Sequence, residues 1–337
     1  MWLKHNRAAE GDQCELVFLQ QALENLHLSQ IQAASRDICV EKDEWKLQVI
    51  VDYTKSANNI YQEYVHQYIS VLKSLRLLSF CEIQSSNADR LTWVLDWSRP
   101  QCANALRAQQ YASGYMTCEV TGITDRVLKL TGIHVAVVLK TTAMDIGKGG
   151  DGDVITLIRK GAPSRVLERP YPGGLSMLEA YCCTMCHDTF SERIAPERTL
   201  FPSYSESLEV TDALVSRSRP GDHVTLILGC RSLMLLRPSG AGQYQIVGLA
   251  YLHGMNSAEP LYGPIPRPWR PAMKGDTGVF TEQLFLNSLA GELTNEDLRF
   301  VKFRKDEMIE GLYFGTRIPS IDALRNRGKP LKAFELI

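Results

Sequence analysis

Tyr251 and His253, near the end of an apolar run, are the residues whose types and spacing best suit proton chemistry. If that run is a β-strand, alternate side chains point to one face, and Val247, Leu249, Tyr251 and His253 share it. A phenol and an imidazole on a face that lines a cavity could donate hydrogen bonds or move a proton. We therefore predict both as catalytic. The alternative is a core tyrosine followed by a histidine at the end of a strand.

Two tryptophans and an aspartate form a second constellation. In an extended segment, Trp93, Leu95 and Trp97 lie on one face and Asp96 lies on the other. Paired indoles offer a large apolar wall with polar edges, which suits a hydrophobic ligand. We predict Trp93 and Trp97 as substrate-binding and Asp96 as catalytic. The alternative is a structural core strand in which Asp96 caps a neighbouring turn.

Three further residues complete the predicted substrate-binding set: Tyr111, Arg231 and Leu249. Arg231 stands at a predicted turn, where its guanidinium could bind a carbonyl or carboxylate oxygen. The alternative for Arg231 is a solvated arginine at the turn.

Motifs for cofactors or metals are weak in this sequence. Residues 183–187 fit the Cys-x-x-Cys-His pattern of haem attachment, and Cys182 could join them in a zinc site, but they lie in an apolar stretch typical of buried cysteines. The glycine-rich residues 147–152 lack the spacing of a phosphate-binding loop and indicate a surface loop. No serine-hydrolase elbow, His-Glu-x-x-His or dinucleotide fingerprint occurs. The sequence thus predicts neither a cofactor nor a metal.

Composition limits the classes of partner. The chain has 337 residues, 45% of them hydrophobic, and a net charge of −1, so it can bury a large core and offers no electrostatic case for nucleic acid or anionic membranes. No apolar run approaches the ~18 residues of a membrane span, and the first residues lack the apolar stretch of a signal peptide. The nine scattered cysteines suit reduced thiols. These features predict a cytoplasmic protein.

Local patterns predict an α+β fold, in one large domain or two intimate ones, with amino-terminal helices packed on a mixed or antiparallel β core and with further helices. Thr54 is a plausible N-cap for a helix that runs to about Leu78. Residues 127–143 favour a strand, a turn at Gly132 and a second strand, whereas residues 222–261 favour three strands joined by turns. Residues 282–293 favour a helix.

Segment composition predicts three parts of the chain. Residues 1–90 are mainly helical, residues 91–262 form the mixed core, and residues 263–337 contain a proline-rich connection followed by a mixed segment. Further helices are predicted over residues 16–28, 175–192 and 205–218.

Several short motifs, in order, resemble the carboxy-terminal region of fungal heterokaryon-incompatibility proteins. The resemblance spans about residues 33–261. The motifs are Val-Asp-Tyr-Thr-Lys-Ser at 51–56, Trp-Val-Leu-Asp-Trp-Ser at 93–98, Tyr-Ala-Ser-Gly at 111–114, Leu-Lys-Leu-Thr-Gly at 128–132 and Tyr-x-x-Val-Gly-x-x-Tyr-x-His-Gly at 244–254. The motifs of the family's effector domain are missing, and Leu249 stands where the family frequently has glutamate.

The resemblance implies two functions of different classes. The first is a recruited, cofactor-independent biosynthetic enzyme: a cyclase or isomerase, of Diels–Alder type or related, that folds a hydrophobic terpenoid or polyketide and hydrogen-bonds a carbonyl group. The second is a non-catalytic module for self/non-self recognition, which would bind a protein partner. Because the effector motifs are missing, an NAD-cleaving activity is not carried over to this chain.

Overall fold

The computed structural model describes residues 54–72, 75–81, 91–95, 110–124, 126–139, 141, 218–274, 282–311 and 316–337. The α-helices are α1 (Ala57–Leu72), α2 (Glu259–Tyr262) and α3 (Ile321–Asn326), and 3-10 helices cover Arg76–Phe80, Leu298–Lys302 and Lys305–Glu307. The strands are β1 (Val120–Ile123), β2 (Leu128–Val137), β3 (His223–Ile227), β4 (Leu233–Pro238), β5 (Gln243–Ala250), β6 (Trp269–Lys274), β7 (Glu282–Asn287), β8 (Leu293–Thr294), β9 (Met308–Glu310), β10 (Arg317–Pro319) and β11 (Lys332–Leu336). The α+β prediction is confirmed.

Five strands close into a barrel in the order β2–β3–β4–β5–β11 and back to β2. All neighbours in this ring are antiparallel except β5 and β11, which run parallel. A further strand, β1, pairs with the first part of β2. It lies on the same edge of β2 that pairs with β3 later in the strand. Closure matters because it pairs the backbone groups that an open sheet would leave exposed at its edges.

The barrel strands carry two apolar clusters, one on each face. The first cluster receives buried side chains from all five strands of the ring and from α1, which identifies it with the inner face. The second cluster covers the outer face of β3, β4 and β5, where α2 and α3 pack. The strand residues of the first cluster are Leu128, Leu130, Ile227, Met234, Leu236, Ile246, Leu249, Phe334 and Leu336.

Helix α1 is shorter than predicted. It begins at Ala57, and the backbone N–H of Asn59 donates to the Ser56 hydroxyl at 3.3 Å, so Ser56 occupies the capping position predicted for Thr54. The helix ends at Leu72, and a separate 3-10 helix follows from Arg76 to Phe80. Ile60, Tyr64 and Tyr68, which are spaced one helical turn apart along α1, are buried, and so is Leu75 after the helix.

Gly132 lies within a continuous strand, so the predicted turn at this residue is wrong. A Cβ at this position would stand 3.2 Å from the Ile227 Cα and closer still to the Leu226 carbonyl oxygen. Because glycine has no side chain, Gly132 permits the β3 backbone to approach β2 closely.

Residues 91–95 form a turn, so the predicted extended segment is wrong over this stretch. The Thr92 hydroxyl accepts from the Ile246 N–H at 2.9 Å and donates to the Ile337 carbonyl. In this turn Trp93, Val94 and Leu95 are all buried, and they do not alternate between two faces.

The helix predicted over residues 282–293 is also wrong. This stretch forms β7 and begins β8, with β7 paired to β6 from Glu282 to Asn287. The Asn287 carboxamide oxygen accepts from the N–H groups of Leu289 and Ala290 and shapes the turn that follows. Pairing with β6 overrides a local pattern that suits either structure.

The three strands predicted over residues 222–261 are confirmed as β3, β4 and β5. Strand β11, from the third predicted segment of the chain, lies between β2 and β5. The predicted boundary at residue 262 stays a prediction, but both sides of it contribute to one barrel.

Several predictions fall outside the described residues: the helices at 16–28, 175–192 and 205–218, the loop at 147–152, and the cysteine-rich stretch at 182–187. In the part of the chain that is described, no helix is both long and apolar enough to span a bilayer. None of the described cysteines, Cys81, Cys118 and Cys230, forms a disulfide.

Candidate functional site

The end of β5 and the start of β4 place the predicted polar residues at one end of the barrel. Leu233, the first residue of β4, pairs with Ala250, the last residue of β5. Arg231 comes two residues before β4, and Tyr251 directly follows β5. The segment before β4 and the segment after β5 therefore lie next to each other at the same end of this strand pair.

The Tyr251 hydroxyl and the His253 Nδ1 lie 3.2 Å apart and form a hydrogen bond. Both side chains are half-buried, and their ring centroids are 6.5 Å apart. The phenol donates to a bare Nδ1, or the N–H of the other tautomer donates to the phenol oxygen. A phenol paired with an imidazole can pass a proton between a bound molecule and the ring.

A turn after β5, and not strand alternation, brings this pair together. Val247 is an extra residue on β5, because Leu235 pairs with Gly248 while Leu236 pairs with Ile246. This β-bulge places Val247 in the outer cluster and Leu249 in the inner one, so the prediction that they share a face is wrong.

Asn256 holds that turn in place. Its carboxamide nitrogen donates to the Leu252 carbonyl at 2.6 Å, and its oxygen accepts from the Leu252 N–H at 3.4 Å. The Met255 N–H also donates to the Leu252 carbonyl at 3.0 Å. Asn256 is not among the residues predicted from the sequence, although an asparagine close to Gly254, which has φ of 74°, is a turn signal.

Tyr111 and Arg231 are joined to this turn through backbone hydrogen bonds. The Tyr111 N–H donates to the Asn256 carbonyl at 2.9 Å, and the Ala112 N–H donates to the Arg231 carbonyl at 2.6 Å. The Ser113 hydroxyl donates to the Cys230 carbonyl at 2.6 Å. Residues 111–113 therefore tie the segment before β4 to the segment after β5.

The Arg231 guanidinium lies over the Tyr111 ring, 5.0 Å from its centroid. Tyr111 is buried, whereas Arg231 is half-buried. A cation held against an aromatic face is fixed in direction by the ring quadrupole. We call Tyr111, Arg231, Tyr251 and His253 the tyrosine–histidine cluster.

Trp93 and Leu249 lie in the inner core and outside this cluster. Trp93 is completely buried and stacks on His66, with ring centroids 5.3 Å apart. No described residue accepts a hydrogen bond from its indole N–H. Leu249 is 4% exposed. Their substrate-binding role stays a prediction, and Asp96 and Trp97 lie outside the described residues.

Groups for covalent or metal chemistry are scarce in the described structure. Burial raises the pKa of the Cys230 thiol, with smaller contributions from Cys118 and Cys81, so it stays protonated and a poor nucleophile. The described residues contain no group of three or more His, Cys, Asp or Glu side chains placed to hold a metal ion. The chemistry that the cluster itself offers is hydrogen bonding and proton transfer.

No protein-family model, curated protein or solved structure matches this chain. The resemblance to heterokaryon-incompatibility proteins therefore stays a hypothesis.

Proposed function

We propose that this protein is a cofactor-independent cyclase or isomerase acting on a hydrophobic small molecule. The observation that carries the proposal is the hydrogen bond between the half-buried side chains of Tyr251 and His253, on a turn whose backbone is tied through residues 111–113 to the segment of Arg231. The tyrosine–histidine cluster offers a hydrogen-bond donor, a proton carrier and a fixed positive charge without any bound group.

In the proposed reaction, the Tyr251 hydroxyl donates a hydrogen bond to a carbonyl oxygen of the substrate, on which negative charge develops. His253 stabilises this charge through its hydrogen bond with Tyr251. Hydrogen-bond donors fixed before the reaction stabilise developing charge without further reorganisation. Binding in a folded conformation brings the reacting carbons together and removes much of the entropic barrier. Arg231 is the residue that we assign to hold a second polar group of the substrate.

The substrate class, a terpenoid or polyketide, comes from the family resemblance. In the fold, the segments that carry these motifs touch other parts of the chain that are distant in sequence. The motif at 111–114 binds the segments beside Cys230 and Asn256. The turn that carries Trp93 binds β5 through Thr92. The motif at 128–132 is the first half of β2.

Reaction in the cytoplasm is part of the proposal, because described cysteines that form no disulfide, Cys81, Cys118 and Cys230, suit a reducing compartment. No partner of nucleic acid or membrane type is proposed.

The experiment that tests this function is metabolite profiling of the host after deletion of the gene. The proposal expects one compound to accumulate, with an isomer of the same mass lost from the wild-type profile. An unchanged metabolome would contradict it.

A second candidate is the non-catalytic recognition module. Leu139, Leu289 and Val301 are 87%, 86% and 91% exposed, and a protein partner that covered them would support this candidate. Exposed apolar side chains suit contact with a protein partner when they form a continuous patch. An altered cell-fusion phenotype with an unchanged metabolome would favour this candidate over the enzyme.

Substitution of Tyr251 by phenylalanine is expected to lower turnover by about 10²-fold or more while leaving the fold intact. The substitution removes the donor oxygen and keeps the ring against the inner core. Initial rates on the compound that accumulates in the deletion strain measure the effect.

Tyr262→Phe is the matched control for this prediction. The Tyr262 hydroxyl is buried, and no described residue hydrogen-bonds to it, so its removal leaves no new unpaired group. Full activity of Tyr251→Phe, or an equal loss in both variants, would remove Tyr251 from the reaction.

A further inference from the structure

Four aromatic rings line the end of the barrel where β3 and β5 begin: His134, His223, Tyr244 and Phe334. The rings of His134 and His223 meet edge to face, with centroids 4.7 Å apart. His223 lies 5.7 Å from Tyr244, which lies 5.5 Å from Phe334. Since β4 separates β3 from β5, the contact between His223 and Tyr244 spans a strand on the inner face.

The two histidines lie on the strand pair that closes the barrel. In the register of β2 and β3, His134 stands opposite Thr225, and Val137 stands opposite His223. The ladder is irregular between His134 and Ala136, so fewer regular backbone pairs hold this end. The contact between the two histidine rings therefore adds to the backbone pairing that joins β2 and β3 at this end.

Polar atoms at this contact are enclosed and unpaired. No described residue hydrogen-bonds to the His134 Nε2, the His223 Nδ1 or the Thr225 hydroxyl, and Thr225 is completely buried. A charged imidazolium requires a partner for each N–H, and an enclosed charge without one is strongly disfavoured.

Charged groups around the pair also favour the neutral rings. Burial, the neighbouring histidine and Lys332 lower the pKa of His134, and burial and Lys332 lower that of His223. Lys332, on β11, lies with its ammonium 4.9 Å from the Phe334 centroid. Asp222 raises the pKa of His223, but its carboxylate already accepts two hydrogen bonds from the Arg237 guanidinium, both at 2.9 Å.

We propose that His134 and His223 form an acid-sensitive closure of the barrel. At neutral pH both rings are uncharged and pack against each other. At acidic pH, two adjacent positive charges beside Lys332 push β2 away from β3 and open this end of the barrel.

The direction of the pH effect follows from proton linkage. A histidine whose pKa is lowered in the folded state binds protons more readily when the protein unfolds, so acid favours unfolding. The loss of stability begins as the pH falls below the ordinary histidine value of about 6.5 and continues down to the folded-state pKa.

The test is the melting temperature of the full chain at pH 7.5 and pH 5.0, in EDTA to remove metal ions. Between pH 7.5 and pH 5.0, the melting temperature falls in both the wild-type protein and the double variant His134→Gln/His223→Gln. The fall is expected to be larger in the wild-type protein by about 3 °C or more. Carboxylates that titrate over the same range affect both proteins and cancel in the comparison. An equal loss in both proteins would overturn the proposal.

Lys332→Gln is a second variant, which serves if the double variant fails to fold. Lys332 is exposed, so its replacement leaves the core unchanged. Without its charge the pKa of both histidines rises toward the ordinary value, and the loss between pH 7.5 and pH 5.0 is expected to shrink. Lys305→Gln replaces another exposed lysine, and its melting temperature is expected to fall as much as that of the wild-type protein between the two pH values. A Lys332→Gln loss equal to that of Lys305→Gln would overturn the proposal.

Discussion

Gly132→Ala is expected to destabilise the protein by about 3 kcal/mol or more and to open the barrel between β2 and β3. The new methyl group would overlap with the Leu226 carbonyl oxygen and press on the Ile227 backbone, both of which belong to β3. Backbone atoms cannot move aside as a flexible side chain does, so the strands have to separate. Denaturant unfolding, followed by circular dichroism, measures the change.

Gly122→Ala is the matched control on the neighbouring strand β1. The three atoms nearest to a Cβ at Gly122 all belong to the Lys129 side chain and lie 3.5 Å or more away, which is an ordinary contact distance. Its effect is expected to stay within about 1 kcal/mol. Similar unfolding midpoints for the two alanine variants would mean that β2 and β3 are not packed as closely as described.

Arg299→Met is expected to cost about 3–5 kcal/mol of unfolding free energy, because it leaves a carboxylate without its partner in a buried site. Arg299 is 5% exposed and binds Asp297 through its Nε and Nη2, at 2.8 and 2.6 Å. It also donates to the carbonyls of Gly263 and Ser257, both at 2.8 Å. One guanidinium thus joins the ends of α2 to the 3-10 helix at Leu298–Lys302.

Arg304→Met provides the comparison for a surface ion pair. Arg304 and Asp306 lie 3.4 Å apart with their side chains 74% and 71% exposed. Water screens such a pair, so its loss is expected to change the unfolding midpoint little. A loss for Arg299→Met as small as that for Arg304→Met would show that Asp297 finds another partner or reaches water.

The hairpins of the barrel could be predicted because their signals are local. Residues 222–261 combine apolar alternation with a glycine-rich turn, and both features act within a few residues of the chain. Closure of the barrel could not be predicted, because β2 meets β3 and β11 across long stretches of sequence. Gly132 was interpreted as a turn for the same reason: its role depends on a strand that lies about 90 residues later.

The catalytic and binding roles of the candidate residues stay predictions, and their geometry differs from what the sequence led us to expect. Tyr251 and His253 are in contact, but Asn256 and a turn bring them together where strand alternation was expected. The position of Tyr111 beside Arg231 was not predicted, since it depends on tertiary contacts. A constellation based on alternation fails where a side chain such as that of Thr92 anchors the backbone in a turn.

The most direct test of the proposed function is incubation of purified protein with the compound that accumulates after gene deletion, in EDTA and without added cofactor. Mass spectrometry follows the substrate and any product. The account predicts conversion to an isomer of equal mass by the wild-type protein and by Tyr262→Phe, with a rate about 10²-fold lower for Tyr251→Phe. No conversion by the folded wild-type protein, or conversion that requires an added cofactor, would contradict the account.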